Sequence, residues 1–415
     1  MSAAPLERAL SPHEAAMLAG DMRVVTVWEL RGEVAEDALE TALGHLARRY
    51  PVLGGRLFAR GGEGVLRIDP TPVPLRLHRG GDLARAIGER GDWATGPLLR
   101  TTLVTGPAER GRHLVAAFPR ACVDGMCVVA VQQEFLALYA AARAGKDPDL
   151  TPVLPVLAGP LEAELEGRCA PGELRAYAER RAAEEAERPP ARLAPAAAVD
   201  GGPGPDPGFG TARAELSPAE TAALTGLAHR AGLTVNTLVC GLLLAALRPS
   251  LEPADGALPV SCGVAVDLRR RLSPPVPNEV IQSAASGFPV RLDVARGSDP
   301  LSLAHRLAGP IRAHLRAGTA EREVAAFPHL TAQGPASLFV TNLGEIDSPS
   351  LPEPARAARL QVLPLTRMPM VFAVVTRYRG SLHVDFPFSR AWYTDGQIRR
   401  LAAATRSLAA ELSAR

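Results

Sequence analysis

The chain is predicted to be an α/β protein built in two halves of similar size, and three observations carry that expectation. Its 415 residues exceed one ordinary core and suit two domains of roughly 200 residues each. Runs with two-residue alternation are followed by runs with helical spacing, the order that lays helices against sheets. Between Pro189 and Gly210 the chain reads PPARLAPAAAVDGGPGPDPGFG, a Pro/Gly/Ala tract without periodicity that is expected to be a mobile linker. The expected organisation is a first lobe over 1–188, a linker over 189–210 and a second lobe over 211–415.

The elements follow in order. MRVVTVWELRG (22–32) is a strand with alternating character, and AEDALETALGHLARRYP after it repeats Ala38, Leu39, Ala42, Leu43 and Leu46 at helical spacing. Short strands are expected at 64–69, 99–105 and 113–118, and an apolar helix from Met126 to about Arg143. LRAYAERRAAEEAER (174–188) places opposite charges three and four residues apart, as on a solvated helix face. Beyond the linker, Ser217, Pro218 and Glu220 stand in capping-box order at a helix start. TVNTLVCGLLLAAL is apolar nearly all round and should be buried. The last helix, Thr394 to Leu412, gathers Ile398, Leu401, Ala402, Thr405, Leu408, Ala409 and Leu412 on one face.

Composition narrows the function. Lys plus Arg number 46 and Asp plus Glu 44, with signs mixed along the chain, so no nucleic-acid footprint is expected. Lys146 is the one lysine, which leaves little room for Schiff-base or lysine-nucleophile chemistry. Cys122, Cys127, Cys169, Cys240 and Cys262 form no CxxC pair, and the histidines make no HExxH spacing, so neither zinc nor a disulfide framework is expected. The sequence has no GxGxxG after a strand and no GxxxxGK[ST], so no bound cofactor is expected. The N-terminus lacks a signal-peptide pattern, and no run approaches the roughly 18–20 uninterrupted apolar residues of a membrane helix. The expectation is a cytoplasmic monomer without a membrane span.

The stretch FPRACVDGM (118–126) lies where a strand should hand over to a helix. Together with LSPHEAAM (10–17), RYPVLGGRL (49–57), GPLLRTTLV (96–104), VAVDLRRRLSPPV (264–276), FVTNLGEI (339–346) and LHVDFPFS (382–389), it gives the chain a resemblance over nearly its whole length. The chain resembles the acyltransferase superfamily of peptide-synthetase condensation domains, alcohol acetyltransferases and, closest, polyketide-associated acyltransferases typified by phthiocerol dimycocerosyl transferase. The resemblance implies two chloramphenicol-acetyltransferase-like lobes in a V with a tunnel between them, and part of the second lobe crossing to the first. It also implies an acyl thioester on coenzyme A or a phosphopantetheine carrier protein as co-substrate, an acyl or peptidyl carrier protein as partner, and a small-molecule amine or alcohol as acceptor.

The family motif is HHxxxDG, whose second histidine is regarded as the base that deprotonates the acceptor. Here Pro119 and Arg120 fill the two histidine positions, and Asp124 and Gly125 keep the rest. A guanidinium has no lone pair to offer near neutrality and is no ordinary base. Three readings of Arg120 stand: a filler paired with a carboxylate, an anchor for a substrate anion, or a stabiliser of charge on a thioester oxygen. Asp124 is expected to cap the following helix and, by the resemblance, to pair with an arginine, for which Arg269 is the candidate. Gly125 is expected to allow an unusual backbone conformation or a close approach. Cys122 reads as a buried hydrophobe, a substrate contact or a nucleophile, the last disfavoured because no histidine is placed to activate it. Asn342 either lines a substrate channel, as the resemblance implies, or forms a turn. His113 should face away from Arg120 if its strand is regular, and His229, His305, His314, His329 and His383 are scattered. Two functions remain from these residues: a thioester-using enzyme remodelled around Arg120, which could also run cyclisation or elimination on a tethered intermediate, or a non-catalytic homologue that recruits a carrier protein.

Overall fold

The computed structural model describes residues 6–69, 71–106, 111–196, 207–330 and 334–415. The strands of the first part of the chain are β1 (Glu7–Ala9), β2 (Arg23–Arg31), β3 (Arg56–Arg60), β4 (Glu63–Arg67), β5 (Leu75–Arg79), β6 (Arg100–Thr105) and β7 (Arg112–Pro119). Those of the later part are β8 (Phe209–Leu216), β9 (Ala257–Asp267), β10 (Ala285–Ala295), β11 (Leu338–Ile346), β12 (Arg356–Leu365), β13 (Phe372–Tyr378) and β14 (Ser381–Ser389). The helices are α1 (Pro12–Ala19), α2 (Glu36–Arg49), α3 (Leu83–Gly88), α4 (Gly125–Arg143), α5 (Leu161–Glu164) and α6 (Pro171–Glu187). They continue with α7 (Pro218–Arg230), α8 (Val235–Leu247), α9 (Pro300–Arg316), α10 (Thr319–Ala325) and α11 (Asp395–Ser413).

The α/β expectation is met in two compact units, although their boundaries are not the expected ones. The first unit takes Met1–Glu164, Arg269–Ala284 and Asp347–Leu365, and the second takes Leu165–Leu268, Ala285–Ile346 and Thr366–Arg415. The expected boundary at 189–210 is therefore displaced. Helix α6 belongs to the second unit because its charged face is not simply solvated: the Tyr177 hydroxyl and Arg181 both donate to Glu323 of α10, at 2.5 and 3.1 Å. The start of the expected linker is bonded rather than mobile. Ala191 N–H donates to Pro259 O at 2.7 Å, Arg192 Nε to Pro335 O at 2.7 Å, and Ala196 N–H to Trp392 O at 2.7 Å. Residues 197–206 of that tract lie outside the described residues.

In the first unit the main sheet runs β12-β2-β7-β6-β5. Strand β2 is central, flanked by β12 and β7 in antiparallel register, and is buried from Arg23 to Trp28. Its sequence alternation therefore does not appear as alternating exposure, since both faces are covered. Helix α2 turns its Ala38, Leu39, Ala42, Leu43 and Leu46 stripe inward, as the spacing predicts, and packs on α4. Helix α4, 19 residues long, is by length and composition apolar enough to cross a membrane, which the sequence reading did not anticipate. It serves here as a core helix, with Val128, Val131, Phe135 and Leu136 all buried.

The second unit has a six-stranded sheet in the order β10-β9-β11-β13-β14-β8. Strand β11 runs parallel to β9 and β13, and its pairing with β9 covers only Leu338–Val340. Helix α8 is buried from Thr237 to Leu247, matching its all-round apolar sequence. Helix α7 opens on the expected capping box of Ser217 and Glu220. Helix α11 lays Ile398, Leu401, Ala402, Thr405, Ala409 and Leu412 inward against β8 and α8, leaving Leu408 half-buried.

Candidate functional site

Strand β7 ends at Pro119, which pairs with Arg23 on β2. The next residue keeps one more tie to that neighbouring chain: Arg120 N–H donates to Met22 O at 2.9 Å. A tight turn follows, with Cys122 N–H donating to Pro119 O at 3.1 Å, and Asp124 then caps α4. The strand-to-helix junction predicted from FPRACVDGM is thus present, and it brings Arg120, Cys122 and Asp124 into one short turn.

Asp124 is 1% exposed and Arg269 0% exposed, and both carboxylate oxygens are committed. Oδ1 accepts the N–H of Cys127 at 2.9 Å, the helix cap. Oδ2 accepts from Arg269 Nε at 3.0 Å, Arg269 Nη2 at 2.8 Å and the N–H of Ala284 at 2.9 Å. Arg269 also donates to the carbonyls of Pro277, Val280 and Gln282 at 2.8, 3.0 and 2.6 Å. The pair therefore knots α4 to the segment 269–284. A carboxylate spent on so many donors is a structural anchor and not a base. Gly125 opens α4 with helical backbone, so the unusual conformation expected of it is not what the structure uses it for.

Arg120 is half-buried, and its Nη1 donates to Val123 O at 2.6 Å and to Ser283 Oγ. Burial is the main influence lowering its proton affinity. The Asp124 carboxylate opposes that and Arg269 adds to it, yet a guanidinium remains a cation throughout the physiological range. The locale holds two guanidinium groups around one carboxylate. It is suited to anions and to negative charge that develops during a reaction.

The thiols beside it are poor nucleophiles. Burial, with the Glu14 carboxylate second, pushes the Cys122 thiol well above its usual range. Burial and the Asp124 carboxylate raise Cys127 to about 12, so neither forms the reactive thiolate near neutrality. Cys122 does contribute to a cleft of about 420 Å³, lined also by Val52, Leu66, Leu154, Leu157, Ile281, Arg8 and Glu279. All of these residues belong to the first unit.

One residue that sequence reasoning passed over belongs to this neighbourhood. His13 is in the first turn of α1, whose capping box is closed by Ser11 and Glu14. Its backbone N–H donates to Glu162 Oε1 at 3.2 Å. Burial, and after it the charge of Arg120, brings the His13 imidazole down to about 4. The ring is therefore neutral at physiological pH beside a permanent cation. Because its proton affinity is lower in the folded than in the unfolded chain, the unfolded state protonates first as pH falls. Stability is expected to be undiminished above about pH 6.5, the ordinary histidine value, and to decline toward about pH 4. Urea midpoints measured across that window should fall less steeply in His13→Gln, and equal slopes would contradict the assignment.

Asn342 lies in the second unit. Its side-chain oxygen accepts the N–H of Gly344 at 2.9 Å, across the irregularity where β11 shifts register against β13, with Gly344 at φ 72°. The turn-forming geometry is thus formed. Arg120, Asp124, Gly125, Arg269 and Cys122 are gathered in the first unit.

Residues 205–387 match the family model for the phthiocerol/phthiodiolone dimycocerosyl transferase C-terminus. The whole chain is similar to polyketide synthase associated protein 5 from Mycobacterium tuberculosis, with a TM-score of 0.74, 19% identity and 100% of both chains covered. The fold is the one shared by these solved polyketide-associated and condensation-domain structures. The chain is equally similar to the first condensation domain of the CDA synthetase, with a TM-score of 0.74 and 19% identity over 99% of this chain and 96% of that one. The epimerization domain from the third module of tyrocidine synthetase B is similar too, with a TM-score of 0.70 and 16% identity over 99% and 97%. No curated protein matches the chain. At these identities the likeness to solved structures is one of fold, and position 120 shows why the chemistry has to be argued from this chain's own residues.

Proposed function

We propose that the chain is an acyltransferase of polyketide or nonribosomal-peptide biosynthesis. In this reading it moves an acyl group from a carrier-protein or coenzyme-A thioester to an amine or hydroxyl, with Arg120 supplying charge stabilisation in place of the family's histidine. The observation that carries the reading is the division of labour around Asp124. Its oxygens are committed to Arg269, Cys127 and Ala284, while the Arg120 guanidinium is steered by a carbonyl and a hydroxyl. A cation held that way is poised to meet a negative oxygen, either on the substrate or on the tetrahedral intermediate. The aliphatic lining of the cleft beside Cys122 suits the hydrocarbon part of an acyl group.

A second reading, a non-catalytic homologue that recruits a carrier protein, is favoured by the loss of histidine from position 120. Product mass spectrometry after incubation with acyl carrier proteins or acyl-coenzyme A and a panel of amines and alcohols separates the two. The acyltransferase reading expects an acylated acceptor and free thiol in equal amounts. Carrier-protein binding without any product across the panel would favour the recruiting homologue.

A further inference from the structure

Away from the motif turn, a second cleft of the first unit is lined by a buried cation whose donors are not met. Arg100 opens β6 and pairs with Ala117 of β7, while Arg76 of β5 pairs with Thr102. Residues two apart on a strand share a face, so both arginines rise from the same side of the sheet. Arg23 of β2, opposite Pro119, joins them there. Glu89 and Asp21 are the carboxylates paired with this group, and both are shared. Glu89 Oε1 accepts from Arg76 at 2.8 Å, Oε2 stands 3.8 Å from His78, and Arg100 Nη1 comes only within 4.0 Å of Oε1. Asp21 stands 3.6 Å from Arg23 and 2.9 Å from Arg90. Arg100 is 6% exposed, and among the described residues neither of its Nη atoms has a hydrogen-bond partner. A buried guanidinium is costly to hold unless its donors are met. Burial lowers its pKa to about 10; Glu89 opposes that shift, and Arg23 and Arg76 add to it.

Arg76 and Arg100 line one cleft of about 390 Å³, whose apolar walls are Pro74, Trp93, Pro97 and Leu99. Asp92, at the exposed rim, is occupied by its own turn, where Oδ1 accepts the Ala94 N–H at 3.1 Å. We propose that this cleft binds the carboxylate of a small organic acid, received by both Nη atoms of Arg100 with Arg76 at the mouth, and with the hydrocarbon part of the acid against the apolar walls. The guanidinium fork matches the two carboxylate oxygens. One added negative charge also relieves the crowding of cations at this corner of the sheet. The wall from Gly91 to Pro97 is irregular backbone, which can yield to admit the head group. The site is independent of the chemistry at Arg120, and all of its residues belong to the first unit.

The indole N–H signal of Trp93, one of three tryptophans, reports on the cleft in the full chain and is assigned by its loss in Trp93→Phe. Titrated with butyrate at constant ionic strength, it should move along a saturating curve in the wild type. Butyramide, the uncharged analogue, and chloride should leave it in place. Arg100→Met should abolish the shift, and Arg76→Gln should weaken the affinity by about tenfold, the loss of one charge-assisted contact. Without butyrate, Arg100→Met should be at least as stable as the wild type, since an unmatched buried cation is gone. It should also lose the rise in Tm, about 2–4 °C, that saturating butyrate gives the wild type. Equal shifts with butyramide, a response that never saturates, or a butyrate shift that survives in Arg100→Met overturns the proposal. Tighter binding of inorganic phosphate than of butyrate overturns the assignment to an organic acid. Should Arg100→Met misfold, Arg76→Gln decides, and wild-type affinity in that variant overturns the proposal.

Discussion

Arg269→Met is expected to destabilise the chain by about 3–5 kcal/mol, the range for breaking a buried ion pair by removing one member. The mechanism is specific. Asp124 would keep its helix-capping bond to Cys127 but would be left as a buried carboxylate with only backbone donors. The carbonyls of Pro277, Val280 and Gln282 would lose the donors that now hold them. Urea denaturation read through the first unit should show a midpoint well below that of the wild type. Replacing both members with apolar residues of similar volume, Asp124→Leu with Arg269→Met, should cost less than Arg269→Met alone, because neither member of the pair is left buried without the other. A single variant as stable as the wild type would mean that the 269–284 segment is held by something other than this pair.

Arg120→Ala is expected to lower kcat/KM for acyl transfer by about 100-fold or more, the usual loss when a charge-stabilising donor is removed. Its stability should change far less than in the Arg269 variant, since the Asp124–Arg269 pair is untouched. Carrier-protein binding should persist, and this separates a catalytic role from a recruiting one. Arg120→His adds a sharper comparison, because it puts an imidazole where the resembled HHxxxDG motif carries its second histidine. Gain of acyl transfer would show that the site still receives donor and acceptor in productive geometry. Position 120 tolerating a neutral residue at full rate would rule out charge stabilisation there.

Much of the fold was legible because local pattern and tertiary need agreed. The stripe on α2, the apolar wrap of α8, the Ser217 capping box and the face of α11 each follow from periodicity or capping chemistry within one element. The motif turn was legible for the same reason, since an Asp-Gly pair before an apolar run signals a helix start. The domain boundary was not legible, because Pro and Gly content reports backbone preference and not what a segment bonds to. The tract from Ala191 to Ala196 makes tertiary hydrogen bonds despite its composition. Nor could spacing show that α6 spends Arg181 on Glu323, or that β2 would be covered on both faces. His13 is the instructive omission. It sits inside LSPHEAAM, a stretch that reads naturally as a helix start, and nothing in its spacing to Arg120, more than a hundred residues on, brings the two together. Ser283 was hidden in the same way.

Strand β12 fills the place beside β2 in the first unit, and Arg269 and Ala284 complete the partners of Asp124. These pieces leave the ribosome only after most of the chain has been made. An amino-terminal fragment ending near residue 188 would therefore emerge with a bare strand edge and a buried acid lacking its counter-ion, and in the cell it would need protection from association until its later segments arrive.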